Sequence, residues 1–501
     1  MGRWYGSAAL QTEAGQVLRM AADAANRGDF AQALPMLSHA LAIDSEATAP
    51  AYAELLSHLS LTSWPRQLEA DLVTCLHAGS VDPQMLARAS ARMLLVKYPE
   101  PVVAEDALWE AFLTRCINVD PAMEVRLAWL AGQDLPDGLR DALAVQAFAS
   151  EYVWGGEALG VPPVAAGELE QEGQLAAEMP SISPRRKPGP RLESCDAETG
   201  PRPSPGKEEE EDAGRRISDA VRAQYETNPY PRWRAPGARQ RVSVAQHLAA
   251  LGAPQTEPLE VLVAGCGTGF EPIDLARMDP SLAITALDLS AASLAYGKRM
   301  AGVLGVERVR FVQGDILDVE ALGQRFGLVN CTGVLHHMER PGDGLAALAE
   351  VMASGGVLRL ALYSERARAW VAEAHRVIAE HGWDASAEGI CAFRAHVLAL
   401  PPEQPLSRLR ESDDFYTTSG CRDLCFHVRE HWYGLPAIGE MLAAAGLELM
   451  MLDAPPEAQG LFAQLFGTGS DRRNLALWDR LEATAPHLFA GMFHLWARKI
   501  G

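Results

Sequence analysis

The amino-acid sequence predicts an α/β protein: a seven-stranded, doubly wound, Rossmann-like domain with a helical insert, preceded by an all-α domain. Three features of its 501 residues lead there. Up to about residue 163 apolar side chains recur at helical spacing. Residues 164–214 are rich in Pro, Gly, Ser and charge. From 215 onward, short β-branched and Leu-rich runs alternate with amphipathic segments, the order of a parallel sheet covered by helices.

Composition narrows the functional classes. With 48% hydrophobic and 22% charged residues the chain has material for two or three cores. Its formal net charge of −21 opposes encounter with nucleic acid or anionic lipid, so neither is an expected partner. The eight cysteines are scattered, the opening "MGRWYGSAALQTEAGQ" has no apolar signal-like run, and no stretch approaches the roughly 18–20 apolar residues that span a bilayer. A cytoplasmic chain with reduced thiols is the expectation.

In "NRGDFAQALPMLSHALAID", Phe30, Ala33, Leu34, Leu37, Ala40 and Leu41 form one helical stripe. Its Gly28-x-Phe30 opening and small Ala33 and Ala40 resemble the second half of a tetratricopeptide unit. Residues 1–163 therefore read either as a concave surface that holds a protein or peptide substrate, or as a plain bundle that stabilises the protein or a homodimer. Residues 164–214 have too few aromatic and β-branched side chains to offset their ordering entropy and read as a disordered linker. The acidic run Glu208–Asp212 within it reads as a solvated spacer or as a docking site for a basic partner.

The third region, 215–501, carries the chemistry. "LEVLVAGCGTGF" is a buried strand that ends in Gly265-x-Gly267-x-Gly269 and leads into a helix, a turn that lets a ligand approach outward-pointing amides. Its spacing differs from the Gly-x-Gly-x-x-Gly of dinucleotide dehydrogenases. "AITALDLS" ends a second strand in Asp288, placed to accept hydrogen bonds from ribose hydroxyls. "VRFVQGDILD" ends a third in Asp315-Ile316, suited to an adenine amine and ring. "FGLVNCTGVLHHMERP", "GGVLRLALYS", "LELMMLD" and "MFHLWARKI" complete seven strands.

The ordered series GCGTGF, ALDLS, QGDIL and GVLHHM resembles class I S-adenosylmethionine-dependent methyltransferases over roughly residues 217–501. By that resemblance Gly265, Gly267 and Gly269 border the methionine part of S-adenosyl-L-methionine. Asp288 binds ribose, Leu289 and Ile316 sandwich adenine, and Asp315 meets its amine. Cys266 in the loop and Asn330 on the fourth strand belong to the same cofactor-binding set. Where many members carry an acid after the aromatic that opens strand four, this chain has Gly327. That position is a strand start, and cofactor binding is expected to survive.

Just ahead of strand one lies "QYETNPYPRW". Its Asn-Pro-Tyr-Pro differs from the Asn-Pro-Pro-Tyr of DNA amino-methyltransferases, and it does not end an apolar strand. Prolines around Tyr230 fix the backbone and withhold ladder hydrogen bonds. The segment reads as a rigid clasp in which Tyr225, Tyr230 and Trp233 cover the cofactor's methyl end, or as aromatic packing at a domain edge.

The insert at 365–435 contains "DDFYTTSGCRDLCFHVREHWYGLP". Cys421, Cys425, His427 and His431 suggest zinc. On a continuous helix, however, the His pair lies about 200–240° from the Cys pair, and only a broken helix would gather all four, so no metal is expected. Phe415, Tyr416, His427, Glu430, His431 and Tyr433 read as the wall of an acceptor pocket, the histidines alternatively as hydrogen-bonded core. With the clasp and the closing "LFAGMFHLWARK", this insert is similar to bacterial helical-repeat methyltransferases, among them the rickettsial protein-lysine methyltransferases. The resemblance implies a polypeptide lysine acceptor, with His336, His427 or His431 receiving or relaying its proton. A small-molecule acceptor and a non-catalytic scaffold are the alternatives.

Overall fold

The computed structural model describes residues 12–57, 63–182, 206–234, 237, 242–250, 258–489 and 491–500. The chain forms two compact units. One comprises Met1–Leu169, Arg232–Gln240 and His375–Phe426; the other Glu170–Pro231, Arg241–Ala374 and His427–Gly501.

The first unit is helical. Helices Glu13–Asn26 and Phe30–Ile43 pack together across a turn at Gly28, whose φ of 78° suits glycine, and Asp29 caps the second helix by accepting from the Gln32 amide at 3.1 Å. Ala33, Leu37, Ala40 and Leu41 of the expected stripe are buried, whereas Phe30 is 41% exposed. The six α-helices that follow up to Ala149 vary from 9 to 13 residues, so the tetratricopeptide likeness stays with this one pair.

Most of the insert belongs to this unit. Helices Ala387–Ala399 and Thr418–Cys425 bring in Arg394, which is 2% exposed. Its guanidinium donates to both Glu124 oxygens at 3.0 and 2.7 Å and to the Phe415 carbonyl at 2.6 Å. With a further bond to the Val153 carbonyl at 3.2 Å, four hydrogen bonds hold the guanidinium, the kind of pairing under which a buried charge is tolerated. The expectation that Phe415 and Tyr416 line an acceptor pocket is thereby corrected. They are 0% and 1% exposed in the helical core, where the Tyr416 hydroxyl donates to the Arg410 carbonyl. The cysteine helix ends at Cys425, so the assumed continuous helix does not exist, and Cys421 and Cys425 are buried in the helical unit.

The second unit holds a seven-stranded sheet. Its strands are β1 (Glu260–Ala264), β2 (Ala283–Asp288), β3 (Val309–Gln313), β4 (Phe326–Thr332), β5 (Met352–Tyr363), β6 (Leu447–Leu452) and β7 (Met492–Lys499). They lie in the order β3-β2-β1-β4-β5-β7-β6, parallel except for β7, which runs antiparallel to both neighbours. The central strands are almost wholly buried because helices cover both faces, which is why they read as continuous apolar runs. All seven strands fall where the sequence places them.

The linker expectation needs correction. Residues Pro163–Ala177 form a helix, Pro180–Ile182 run extended along β3, and Gly206–Thr227 is a 22-residue helix that includes the acidic run. Residues 183–205 lie outside the described residues. Ala, Glu, Leu and Gln are good helix formers, so few apolar residues did not mean no helix. A buried ion pair, Arg299 to Glu172 at 2.8 Å, helps to anchor the first helix. Among the described residues no helix is long and apolar enough to cross a membrane.

Candidate active site

The site is built at the carboxyl ends of the parallel strands. Beyond β1 the chain turns through Gly265, Gly267 and Gly269 at φ of 72°, 51° and 79° into helix Phe270–Met278. A Cβ on Gly265 would stand 2.3 Å from the Val334 side chain, and one on Gly267 would stand 2.9 Å from the Tyr230 carbonyl. Only glycine fits between the exit of β4 on one side and the Asn-Pro-Tyr-Pro segment on the other. Thr268 also donates its hydroxyl to the Pro231 carbonyl, fastening that segment to the loop. Cys266 is buried, and burial together with Asp288 raises its thiol well above the ordinary range; it is a packing residue rather than a thiolate.

Asp288 ends β2. Its carboxylate accepts from the Gly267 amide at 2.7 Å and from the Ser290 amide at 2.9 Å. Desolvation raises it to about 6, opposed by those amides and that of Leu289. Glu226, two residues before Asn228, accepts from the amides of Ala291 and Ala292 at 2.8 and 3.0 Å and caps the helix that follows β2. Gln313 at the end of β3 donates to the Leu289 carbonyl at 3.0 Å and to Glu226 at 3.4 Å. Asp315 accepts from the Leu317 amide at 2.9 Å, and Ile316 beside it is buried. Asn330 of β4 is 2% exposed, yet its Oδ1 has no hydrogen-bond partner among the described residues.

A histidine cluster flanks this loop. Beyond β4 a short turn, Leu335–His337, buries His336 at 1% exposure with both ring nitrogens lacking a partner among the described residues. The His336 ring lies 4.6 Å from that of Tyr363 at the end of β5 and 4.1 Å from His337, which stacks on His427 at 3.5 Å. Tyr225 lies 6.0 Å from His427. The His431 amide donates to the His336 carbonyl at 2.8 Å, and its Nε2 meets the Met338 carbonyl at 3.0 Å. Burial holds His336 and His337 well below the usual imidazole range, helped for both by Arg368 and neighbouring histidines, and lowers His431. Arg368 lies 3.5 Å over the Tyr363 ring and pairs with buried Glu430 at 3.2 Å. Tyr433, pushed up to about 12 by burial, adds a hydroxyl without a partner among the described residues, as does Thr332 at the end of β4.

The structure thus gathers Tyr225, Tyr230, His336, His427 and His431 in one unit with the glycine loop, Asp288, Leu289, Asp315, Ile316 and Asn330. Trp233, Phe415 and Tyr416 fall in the other unit. Glu226, Thr332, Tyr363 and Arg368 escaped the sequence reading. Thr332 and Tyr363 had a legible signal, being the last residues of strands whose carboxyl ends face ligands in such sheets.

A parallel sheet with one antiparallel strand, a glycine turn after β1, an acid closing β2 and another just beyond β3 define the class I S-adenosylmethionine-dependent methyltransferases. The family model described as a methyltransferase domain matches residues 256–393. An uncharacterized protein of Synechococcus sp. is 32% identical over 293 residues, covering 53% of this chain and 67% of that protein. The trans-aconitate 2-methyltransferase of Deinococcus radiodurans is 36% identical over 118 residues, 24% of this chain and 43% of that enzyme. Among solved structures, PKMT2 from Rickettsia typhi in complex with AdoHcy superposes with a TM-score of 0.40 at 15% identity, over 53% of this chain and 55% of that one. The chain belongs to the S-adenosylmethionine-dependent methyltransferases, and S-adenosylmethionine is its cofactor. The residues present fit it: a glycine cradle that any Cβ would fill, a carboxylate at the end of β2, and the unsatisfied Asn330 amide oxygen.

Proposed function

We propose that the chain methylates an amine, the side chain of a lysine in a polypeptide presented by the helical unit. The observation that carries this reading is the buried His336 ring, whose nitrogens have no partner among the described residues, packed against Tyr363 and near an arginine already paired with Glu430. A carboxylate acceptor needs a cation to hold it, and Arg368 is already paired; an amine needs a dry site with a lone pair facing its N–H.

The bound cofactor supplies an activated methyl on a sulfonium with a neutral leaving group, so the protein mainly aligns the acceptor and excludes water. In this reading Asp288 holds the ribose, Leu289 and Ile316 enclose the adenine, Asp315 meets its amine, and Asn330 Oδ1 takes a cofactor N–H. Tyr225 and the Tyr230-Pro231 backbone close the glycine loop against solvent. A lysine amine ordinarily titrates near 10.4, and a desolvated wall favours its uncharged form. His336 accepts a hydrogen bond from that amine. The burial that keeps the ring neutral also makes it a weak base, so it orients the nucleophile, and the proton leaves by way of the half-buried His431.

The test is transfer of labelled methyl from S-adenosylmethionine in a lysate, followed by hydrolysis and amino-acid analysis. Label in methylated lysine, reduced at least tenfold by His336→Gln, is the expected result. Label confined to a small-molecule fraction would overturn the lysine assignment and favour a metabolite acceptor.

A further inference from the structure

The segment before the undescribed residues reaches the cofactor side of the sheet. The Gln313 amide donates to the Pro180 carbonyl at 2.8 Å and the Ile182 amide to the Gln313 carbonyl at 2.9 Å, so residues 180–182 extend the sheet beyond the edge of β3. Met179 is buried, and Ile182 packs against the core that contains Leu287, Val312 and Ile316. A Cβ on Gly314 would stand 2.3 Å from Ile182 Cγ1. Gly314 directly precedes Asp315, and glycine there lets the Ile182 side chain lie against the turn that carries Asp315 and Ile316. The helix leading into this segment is held by Glu172, paired with Arg299 at 2.8 Å with both side chains nearly buried.

We infer that residues 179–182 form a strap that walls the adenine side of the cofactor site, with Ile182 as its contact residue and the Glu172–Arg299 pair as its anchor. Gln313 is the joint. Its backbone holds the strap, while its side chain reaches Leu289 and Glu226, so strap, adenine wall and clasp share one residue. The inference rests on the placement of adenine beside Asp315 and Ile316 proposed above. It assigns binding work to residues far upstream of the matched domain at 256–393.

Calorimetric titration of the full-length chain with S-adenosylhomocysteine and with adenosine tests it. Ile182→Ala removes apolar surface from the adenine wall and should weaken both ligands by the same factor, about tenfold, and Ile182→Val should stay within twofold of the native chain. Hydrogen exchange at the Ile182 amide should slow when S-adenosylhomocysteine binds. Unchanged affinity in Ile182→Ala with weakened affinity in Asp315→Ala would overturn the strap alone. Unchanged affinity in both variants would overturn the adenine placement and the strap with it.

Discussion

The glycine loop and the histidine cluster share one edge of the sheet but are made of different material. The loop is backbone: positive-φ glycines, outward amides, and carbonyls such as that of Tyr230 standing where any Cβ would be. The cluster is side chain: imidazoles, tyrosines and an arginine drawn from the exits of β4 and β5 and from residues 427–433, kept neutral by burial or pairing. In the reading proposed above, cofactor binding rests on the shape of this backbone together with Asp288, and the reaction on the buried polar side chains, so the two should fail separately.

The largest expected effect comes from breaking the backbone side. Gly267→Val forces a left-handed φ and a clash with the Tyr230 carbonyl, a strain of about 3 kcal/mol, and should weaken S-adenosylhomocysteine about 100-fold in a calorimetric titration. Next is His336→Gln, expected to lower kcat about 10- to 100-fold while the dissociation constant for S-adenosylhomocysteine stays within twofold. A parallel loss of affinity would erase the distinction between the two sides.

A smaller, graded effect is expected from pH. Asp288 is raised from 3.8 to about 6, so the folded chain holds this proton more tightly than the unfolded one. For this group alone, folding stability is greatest below the unfolded value and declines as pH rises through that window. Cofactor affinity should run the opposite way, rising as the carboxylate ionises toward pH 7. Asp288→Asn should flatten both profiles, read by chemical denaturation and by titration at pH 5 and 7. The smallest effect is expected for Glu226→Gln, which keeps one acceptor for the Ala291 and Ala292 amides but loses the charge at a helix start. It should cost about 0.5–1 kcal/mol of stability by denaturation.

The same contrast governs what the sequence made legible. A backbone site leaves a local trace, because glycines at fixed spacing and an acid at each strand end follow one another along the chain. Gly265 to Ile316 could be read in order, as could all seven strands. The histidine cluster leaves a weaker trace: His336 and Tyr433 could be picked out as candidates but Tyr363 and Arg368 could not, because the cluster is assembled from the exits of β4 and β5 and from residues 427–433, nearly 100 residues apart in the chain. The insert misled for a related reason, since Arg394 finds its partner Glu124 270 residues away. Residues 163–182 looked like linker because they carry no apolar stripe; an Arg299–Glu172 ion pair and pairing along the edge of β3 help to hold them.

The most direct test of the central claim is calorimetric titration of the full-length chain with S-adenosylmethionine and S-adenosylhomocysteine, with Asp288→Ala alongside. Saturable binding of both ligands, abolished in a variant that remains folded, is the expected result. A folded native chain that binds neither would contradict the account.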